Sequence, residues 1–181
     1  SLVTDLILDH NKIHDISPII HLTSLTTLNL SYNNLTHING IDTLTSLQVL
    51  HLDHNNIELS SLSSLFQCSN QLKVLYLHEN PLVSQCSKEI PYRKYILSCF
   101  EHDLSFLDDR KVLPLELIAA RAYIKGGILA ERKATDLYIE QQHEQTLYKH
   151  QQYQLHIQQQ QNDIHHRQII QVHQIHQWDQ E

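Results

Sequence analysis

The sequence contains no methionine, and glycine, proline and cysteine are scarce. Its three glycines are Gly40, Gly126 and Gly127, so no glycine-rich loop of the phosphate-cradling kind can form. With only three Gly and four Pro, the chain has no room for a Gly- or Pro-rich linker. The three cysteines are odd in number and form no C-x-x-C pair. We therefore expect neither a disulfide framework nor a structural zinc site, and a reducing compartment fits this cysteine usage best.

An excess of positive charge is also missing. The formal net charge is −7, and acidic residues outnumber basic ones on both sides of residue 114. This balance argues against binding dominated by nucleic acid phosphates and against a polybasic membrane patch. The sequence has no signal peptide and no apolar run long enough to span a bilayer. The lack of Met, together with an opening on a repeat strand, predicts that the sequence is a fragment or a processed chain.

A repeated phrase, L-x-L-x-x-N-x-[IL], organises the first half of the chain. It occurs at residues 6–13, 28–35, 50–57 and 75–82, and its asparagines are Asn11, Asn33, Asn55 and Asn80. The spacing is 22, 22 and 25 residues, so the third repeat carries an insertion between Ser60 and Asn70. Four copies in one register predict a solenoid in which each repeat stacks on the next.

The physics of the repeat gives each recurring position a role. The leucines alternate along short strands and point inward, where they stack into a continuous core. The asparagines satisfy backbone groups at the turn that follows each strand, so we interpret them as a structural column. The spacing I-x-x-[IL]-x-x-L resembles the protein-phosphatase-1 regulatory subunit class of leucine-rich repeat, which implies short 3₁₀ or α turns on the convex side. The fold class is therefore α/β, a leucine-rich-repeat solenoid with parallel strands on its concave face.

An atypical end closes the solenoid, because its last repeat would otherwise be exposed. Residues 80–112 resemble a leucine-rich-repeat cap, N-P-L…Y-R-x-Y-[IV]…L-x-x-L-D. We expect Pro91 to begin a helix whose apolar face includes Tyr92 and Phe100, and Leu107 to lie in a last short strand. The predicted organisation is then 1–79 repeats, 80–112 cap, 113–140 docking helix and 141–181 Gln/His-rich helical tail.

The segment 107–132 is the most distinctive part of the sequence. Its pattern L-D-D-R-x-V…A-x-A-[WY]-x-[KR]-G-G-x-x-A-E-[RK] resembles the dynein axonemal assembly factor 1 family. The chain departs from that family at Lys111 and Tyr123, where Pro and Trp are usual. The resemblance implies a leucine-rich-repeat protein that assists the cytoplasmic preassembly of ciliary dynein arms.

The tail is rich in Gln and His and free of Gly and Pro, which favours a helix. Its apolar positions are too sparse to stabilise it alone, so we expect it to pack on a partner protein. The strongest predicted anchors are Ile169, Val172, Ile175 and Trp178. His173 and His176 have a spacing that can hold a metal, but no Cys or paired carboxylate accompanies them, so we expect no metal there and no cofactor.

The outward positions of the strands form the predicted binding surface, since repeat solenoids bind through their concave face. We name these residues the concave face: Asp5, Ile7, Asp9, Asn29, Tyr32, His51, Asp53, Tyr76 and His78. The surface is acidic with interleaved rings, so it should prefer a basic or amphipathic protein segment. A solvated face without a partner is the alternative. We also expect an upstream segment or a partner chain to cover the first strand at Thr4 and Leu6.

The functional prediction is a non-enzymatic protein–protein interaction scaffold of the cytoplasm and cilium. No catalytic motif or nucleotide-binding loop occurs, so we expect no catalytic residues, small-molecule substrate, nucleic acid or membrane partner. Three readings stay open: a factor for axonemal dynein assembly, a structural component of the axoneme anchored by its tail, and a phosphatase-regulatory or ribonucleoprotein adaptor. The third hypothesis, the adaptor, gives no role to the segment 107–132, so the presence of that segment makes it less favoured. The expected partners are axonemal or dynein-assembly proteins.

Overall fold

The computed structural model describes residues 3–67, 71–88, 90–100 and 104–178, with side chains as far as residue 164. The chain divides into two compact units, Ser1–Thr135 and Asp136–Glu181. The first unit contains the repeats, the cap and the start of the last helix. Within the described residues, the second unit consists of the remainder of that helix.

Four parallel strands follow the four repeats. They are β1 (Asp5–Ile7), β2 (Thr27–Asn29), β3 (Val49–His51) and β4 (Val74–Tyr76). The repeat length sets their register, because Asp5 pairs with Thr27, Thr27 with Val49 and Val49 with Val74. The expected leucine-rich-repeat solenoid is thereby confirmed.

The core is a stack of inward leucines. Leu28, Leu30, Leu50 and Leu52 are fully buried, as are Leu75 and Leu77 in the fourth repeat. Since successive strand residues point to opposite faces, the two repeat leucines of each strand turn inward together and leave the residues between them on the outer face. Burying each such side chain contributes on the order of 2 kcal/mol relative to leaving it exposed. Leu6 and Leu8 are only partly buried at the open end of the stack.

The convex side is built from short turns that repeat with the same period. Backbone amides of Ile19, Leu22 and Leu25 donate to carbonyls three residues earlier, and those of Ile41, Leu44 and Leu47 do the same one repeat later. The second set includes a 3₁₀ turn at Ile41–Thr43. In the third repeat, the three extra residues accompany a 3₁₀ turn at Leu59–Ser61 and the short helix α1 (Ser63–Phe66).

The asparagine column joins adjacent repeats through the backbone. The side-chain nitrogen of Asn55 donates to the carbonyls of Leu30 (2.9 Å) and Leu52 (3.0 Å), and its oxygen accepts from the Leu35 amide (3.0 Å). Asn33 and Asn80 repeat this arrangement one repeat earlier and one later. These amides satisfy turn groups that would otherwise be buried without partners.

Among its described residues, the cap adds two helices and a hairpin. Helix α2 (Pro81–Gln85) was not expected, and it begins at the proline of the last repeat, where a missing N–H costs nothing. Helix α3 (Tyr92–Cys99) follows Pro91. Strand β5 (Phe106–Leu107) continues the parallel sheet beside β4, and β6 (Arg110–Lys111) returns antiparallel to it.

The last helix, α4 (Pro114–Trp178), is interrupted at the double glycine. Gly127 has φ +67°, in the left-handed region that L side chains rarely adopt. Before this break, Leu117 and Ala120 are buried against the cap, whereas Ile124, which follows them at helical spacing, is 50% exposed. None of the helices within the described residues is long and apolar enough to cross a membrane.

Candidate functional site

The concave face is formed by side chains of consecutive strands that lie side by side. The register aligns Ile7, Asn29, His51 and Tyr76 in one row. Ile7 is 70% exposed, although it is apolar, so it offers a hydrophobic contact at the start of the row. The neighbouring row runs from Asp5 through Thr27 and Val49 to Val74. At its far end, β5 places Phe106 beside Val74, and Phe106 is 40% exposed. The sequence prediction had omitted Phe106.

Rings cover the middle of this face. The rings of His51 and Tyr76 stack with centroids 4.3 Å apart and planes 7° from parallel. Burial lowers the pKa of His51, and the nearby negative charge of Asp53 opposes this shift. A neutral imidazole stacked on a phenol presents a flat surface that can lose water without burying a charge.

A second line of rings stands at the turns that follow β1, β2 and β3. We call His10, Tyr32 and His54 the ring column. Tyr32 lies between the two histidines, with centroids 4.3 Å from His10 and 4.0 Å from His54. All three residues have φ between 53° and 56°, so the same left-handed turn directs each ring alike. Strand spacing of about 4.8 Å brings rings on adjacent repeats to stacking distance.

The acidic residues of the face differ in exposure. The carboxylate of Asp9 lies 2.8 Å from Nδ1 of His10. The hydroxyl groups of Thr4 and Thr27 lower the pKa of Asp5, which keeps this exposed carboxylate charged. Asp53 is 7% exposed and accepts a 2.6 Å hydrogen bond from the Ser31 hydroxyl. Asp53 is therefore held in place by its neighbour rather than free in solvent.

One cluster on this face has the donor set of a metal site. Ligand atoms of Asp53, His54 and His78 all lie within 4.8 Å of one another. The rings of His54 and His78 meet edge to face, with centroids 5.4 Å apart. Nδ1 of His78 is buried without a hydrogen bond and lies 3.5 Å from Oδ1 of Asp108. From the sequence, Asp53 and His78 are predicted as partner contacts, with His54 beside them. Asp108 belongs to the predicted cap motif, and the sequence pattern predicts no metal at this cluster.

The segment 107–132 is attached to the cap by two basic residues of α3. Arg93 binds Glu116 and donates to the carbonyls of Leu107 (2.9 Å) and Lys111 (3.1 Å). Lys94 donates to Glu131 (2.7 Å), and its Nζ lies 4.4 Å from the centre of the Tyr123 ring. Glu116, Tyr123 and Glu131 thus serve to dock α4.

The other predicted structural residues lie within the core or at its open end. Phe100 and Leu107 are buried, and Phe100 meets Phe66 edge to face at 5.6 Å. Burial raises the pKa of the Tyr92 hydroxyl. Asn11 donates to the carbonyls of Leu8 and Asp9 within its own repeat. The predicted tail anchors Ile169, Val172, Ile175 and Trp178 lie outside the residues whose side chains the structure describes.

Comparison with known proteins supports the repeat assignment. Residues 1–57 match the family described as Leucine rich repeat. A 79-residue segment is 34% identical to the Leucine-rich repeat-containing protein ODA7 of Chlamydomonas reinhardtii, and it covers 44% of this chain and 17% of that relative.

Two solved structures are similar to the chain. A Listeria monocytogenes internalin shares 22% identity at a TM-score of 0.45, over 61% of this chain and 29% of the internalin. The Drosophila melanogaster SNF/U2A' complex shares 25% identity at a TM-score of 0.48, over 75% of this chain and 87% of the matched chain.

Proposed function

We propose that this leucine-rich-repeat chain is a non-enzymatic scaffold that binds a protein segment on its concave face and acts in the assembly of axonemal dynein. The observation that carries the proposal is the stacking of Tyr32 between His10 and His54, beside the His51–Tyr76 pair. Residues that make affinity hot spots at interfaces are typically aromatic, rigid and able to lose water on one side.

The rings are pre-organised for binding. Each stacks on a ring of an adjacent repeat. Because the rings are already held in place, less conformational entropy is lost when a partner covers them. Tyr32 is nevertheless 44% exposed, so much of its surface remains to be covered. A partner that spans adjacent strands would bury this ring together with Ile7.

The charge of the face indicates what kind of segment it binds. Asp5 lies in the first strand and Asp9 follows it, where it contacts His10. The whole chain has a formal net charge of −7. A basic or amphipathic segment would place its cations near these carboxylates and its apolar side chains on the rings. Such complementarity increases the rate of association and excludes acidic partners.

The cellular setting is inferred from the segment 107–132, whose pattern resembles the dynein axonemal assembly factor 1 family. The 34% identity over 79 residues with the Chlamydomonas leucine-rich-repeat protein supports this inference. We infer action in the cytoplasm on axonemal or dynein-assembly proteins, with the cilium as the destination of the assembled product. The tail, through Ile169, Val172, Ile175 and Trp178, is proposed as a second partner contact.

The test is rescue in ciliated cells that lack the protein. Cells would express the wild type, the variant Tyr32→Ala/His51→Ala/Tyr76→Ala, or the control His14→Ala/His37→Ala. His14 and His37 are exposed residues of the first two repeats that lie outside the strands. A fourth form would lack residues 165–181. The readouts are axonemal dynein heavy chain in isolated, demembranated cilia, and the location of the scaffold itself.

The proposal expects the wild type and the control to restore axonemal dynein while the concave-face variant does not. It also expects the wild-type protein in the cell-body cytosol. Retention of the protein in salt-washed axonemes would favour the structural-component reading. Full rescue by the triple-alanine variant would refute binding through the concave face, and full rescue without residues 165–181 would remove the tail from the mechanism.

A further inference from the structure

Three donor side chains from two adjacent repeats converge where the ring column ends at His54. Asp53 and His54 follow β3, and His78 follows β4, the strand that pairs with it. Their ligand atoms lie within 4.8 Å of one another. We propose that Asp53, His54 and His78 form a binding site for a divalent transition-metal ion of the zinc type. This inference does not depend on the proposed scaffold function.

The donor set fits such an ion. Two imidazoles and one carboxylate are ligands that Zn²⁺ accepts, with bonds of about 2.0–2.2 Å. Ligand atoms of a tetrahedral site are then about 3.4 Å apart. Small side-chain rotations would bring atoms within 4.8 Å to that separation. The protein would supply three ligands and leave a fourth position for water or a partner residue.

Groups around the cluster would orient two of these ligands. The Ser31 hydroxyl donates to Oδ1 of Asp53 at 2.6 Å, which fixes the carboxylate and leaves Oδ2 for the metal. Nδ1 of His78 faces Oδ1 of Asp108 at 3.5 Å, so Nε2 is the assigned ligand atom. A metal-bound histidine usually donates its other N–H to a carboxylate, and Asp108 can accept that hydrogen bond after a small ring movement.

His54 is held in place before any metal binds. Its backbone is in the left-handed region at φ +53°, and its ring stacks on Tyr32 at 4.0 Å. A ligand that is already oriented loses little conformational entropy on binding. Because His54 and His78 belong to different repeats, a bound ion would cross-link the third and fourth repeats and stabilise them against unfolding.

The sequence pattern brings a histidine metal site into question only in the tail, at His165, His166, His173 and His176. Asp53 and His54 are adjacent in the chain, but His78 is 24 residues away across the insertion, a spacing that matches no common metal motif. The cluster arises because the shift from a 22- to a 25-residue repeat still leaves His51 paired with Tyr76. His78 is therefore the lateral neighbour of Asp53.

The experiment measures Zn²⁺ binding to the purified full chain by calorimetry, and Co²⁺ binding by visible absorption of the tetrahedral ion. The ligand variants are His54→Asn, His78→Phe and Asp53→Asn. Asn tolerates the left-handed backbone at residue 54, Phe keeps a ring at residue 78, and the amide oxygen that Asp53→Asn introduces can still accept from Ser31. Far-UV circular dichroism and urea unfolding in EDTA establish that each variant folds.

Two controls separate this site from the other histidines of the chain. His10→Asn changes the equivalent turn residue of the first repeat, which has φ +56° and also stacks on Tyr32. His173→Gln/His176→Gln removes the tail pair. The proposal expects one site in the wild type and in both controls, with the Co²⁺ absorption lost in His54→Asn and His78→Phe. Ser31→Ala should weaken Zn²⁺ binding by about tenfold to a hundredfold.

Three outcomes would overturn the proposal. Wild-type stoichiometry and affinity in both His54→Asn and His78→Phe would exclude these ligands. Loss of all binding in the tail variant would place the ion on His173 and His176 instead. Absence of any Zn²⁺ binding by the wild type at millimolar concentration would also refute the site. If a histidine substitution prevents folding, Zn²⁺ binding by Asp53→Asn is measured instead and decides whether the cluster holds the ion.

Discussion

Arg93 binds Glu116 through two charged hydrogen bonds, 2.5 Å from Nε to Oε1 and 3.0 Å from Nη2 to Oε2. The same guanidinium donates to the carbonyl of Leu107. Arg93 therefore joins α3, the end of the parallel sheet and the start of α4. Its planar group of donors suits this arrangement, which a single ammonium group could not reproduce.

Replacing Arg93 by Lys should lower the free energy of unfolding of the repeat and cap unit by about 1–3 kcal/mol. Lysine keeps the positive charge but cannot bind Glu116 through two parallel bonds while also reaching the Leu107 carbonyl. Urea unfolding followed by circular dichroism measures the effect. The exposed Lys12→Ala is the matched control and should change stability by less than about 0.5 kcal/mol. Equal midpoints for R93K and the wild type would contradict this role.

The acid sensitivity of the fold should depend partly on Glu116. Its hydrogen bonds with Arg93 lower its pKa from the ordinary value of 4.5. Because the folded pKa is depressed, this stabilisation is complete above about 4.5 and is lost as pH falls through the folded pKa. Stability measured from about pH 7 down to pH 3 should fall less steeply in Glu116→Gln than in the wild type. Parallel curves for the two proteins would show that Glu116 does not contribute.

The asparagine column should not be uniform in its effect on stability. Asn55 is buried and bonds groups in two repeats, whereas Asn11 is exposed and bonds groups only in its own. Asn55→Ala leaves several buried backbone groups unsatisfied and should cost about 2–4 kcal/mol. Asn11→Ala should cost less than about 1 kcal/mol. Urea midpoints of the two variants test this difference, and a reversed order would refute it.

Much of the repeat region could be predicted from the sequence because the same packing and hydrogen bonds recur in each repeat. The spacing of Asn33 and Asn55 fixes the register of their strands, since stacking requires each repeat to place the same residue beside its neighbour. Burial of Leu28 and Leu50 then follows from strand alternation.

Other features depend on contacts made by residues outside the repeats, which the repeat pattern does not predict. Asp108 lies after the last repeat, yet its Oδ1 accepts from the amides of Leu77 and His78. The cap hairpin brings it there, and the hairpin has no repeat signal. Ile124 follows the buried Leu117 and Ala120 at helical spacing and yet is exposed, two residues before the break at Gly126. The ring column could have been found by comparing the residues that precede each asparagine.

His51 provides the last prediction, because burial and charge act on it in opposite directions. Burial lowers its pKa from the ordinary 6.5, and the carboxylate of Asp53 partly offsets this effect. NMR titration should therefore give His51 a pKa below 6.5, with the resonance assigned by its loss in His51→Phe. Asp53→Asn removes the opposing charge, so it should lower the pKa of His51 further. Since the folded pKa is depressed, the neutral ring contributes full stability above about 6.5, and this contribution declines as pH falls through the folded pKa. A higher pKa of His51 in Asp53→Asn would mean that the loss of the Asp53 charge opens the ring stack to water, and that burial rather than charge controls this part of the concave face.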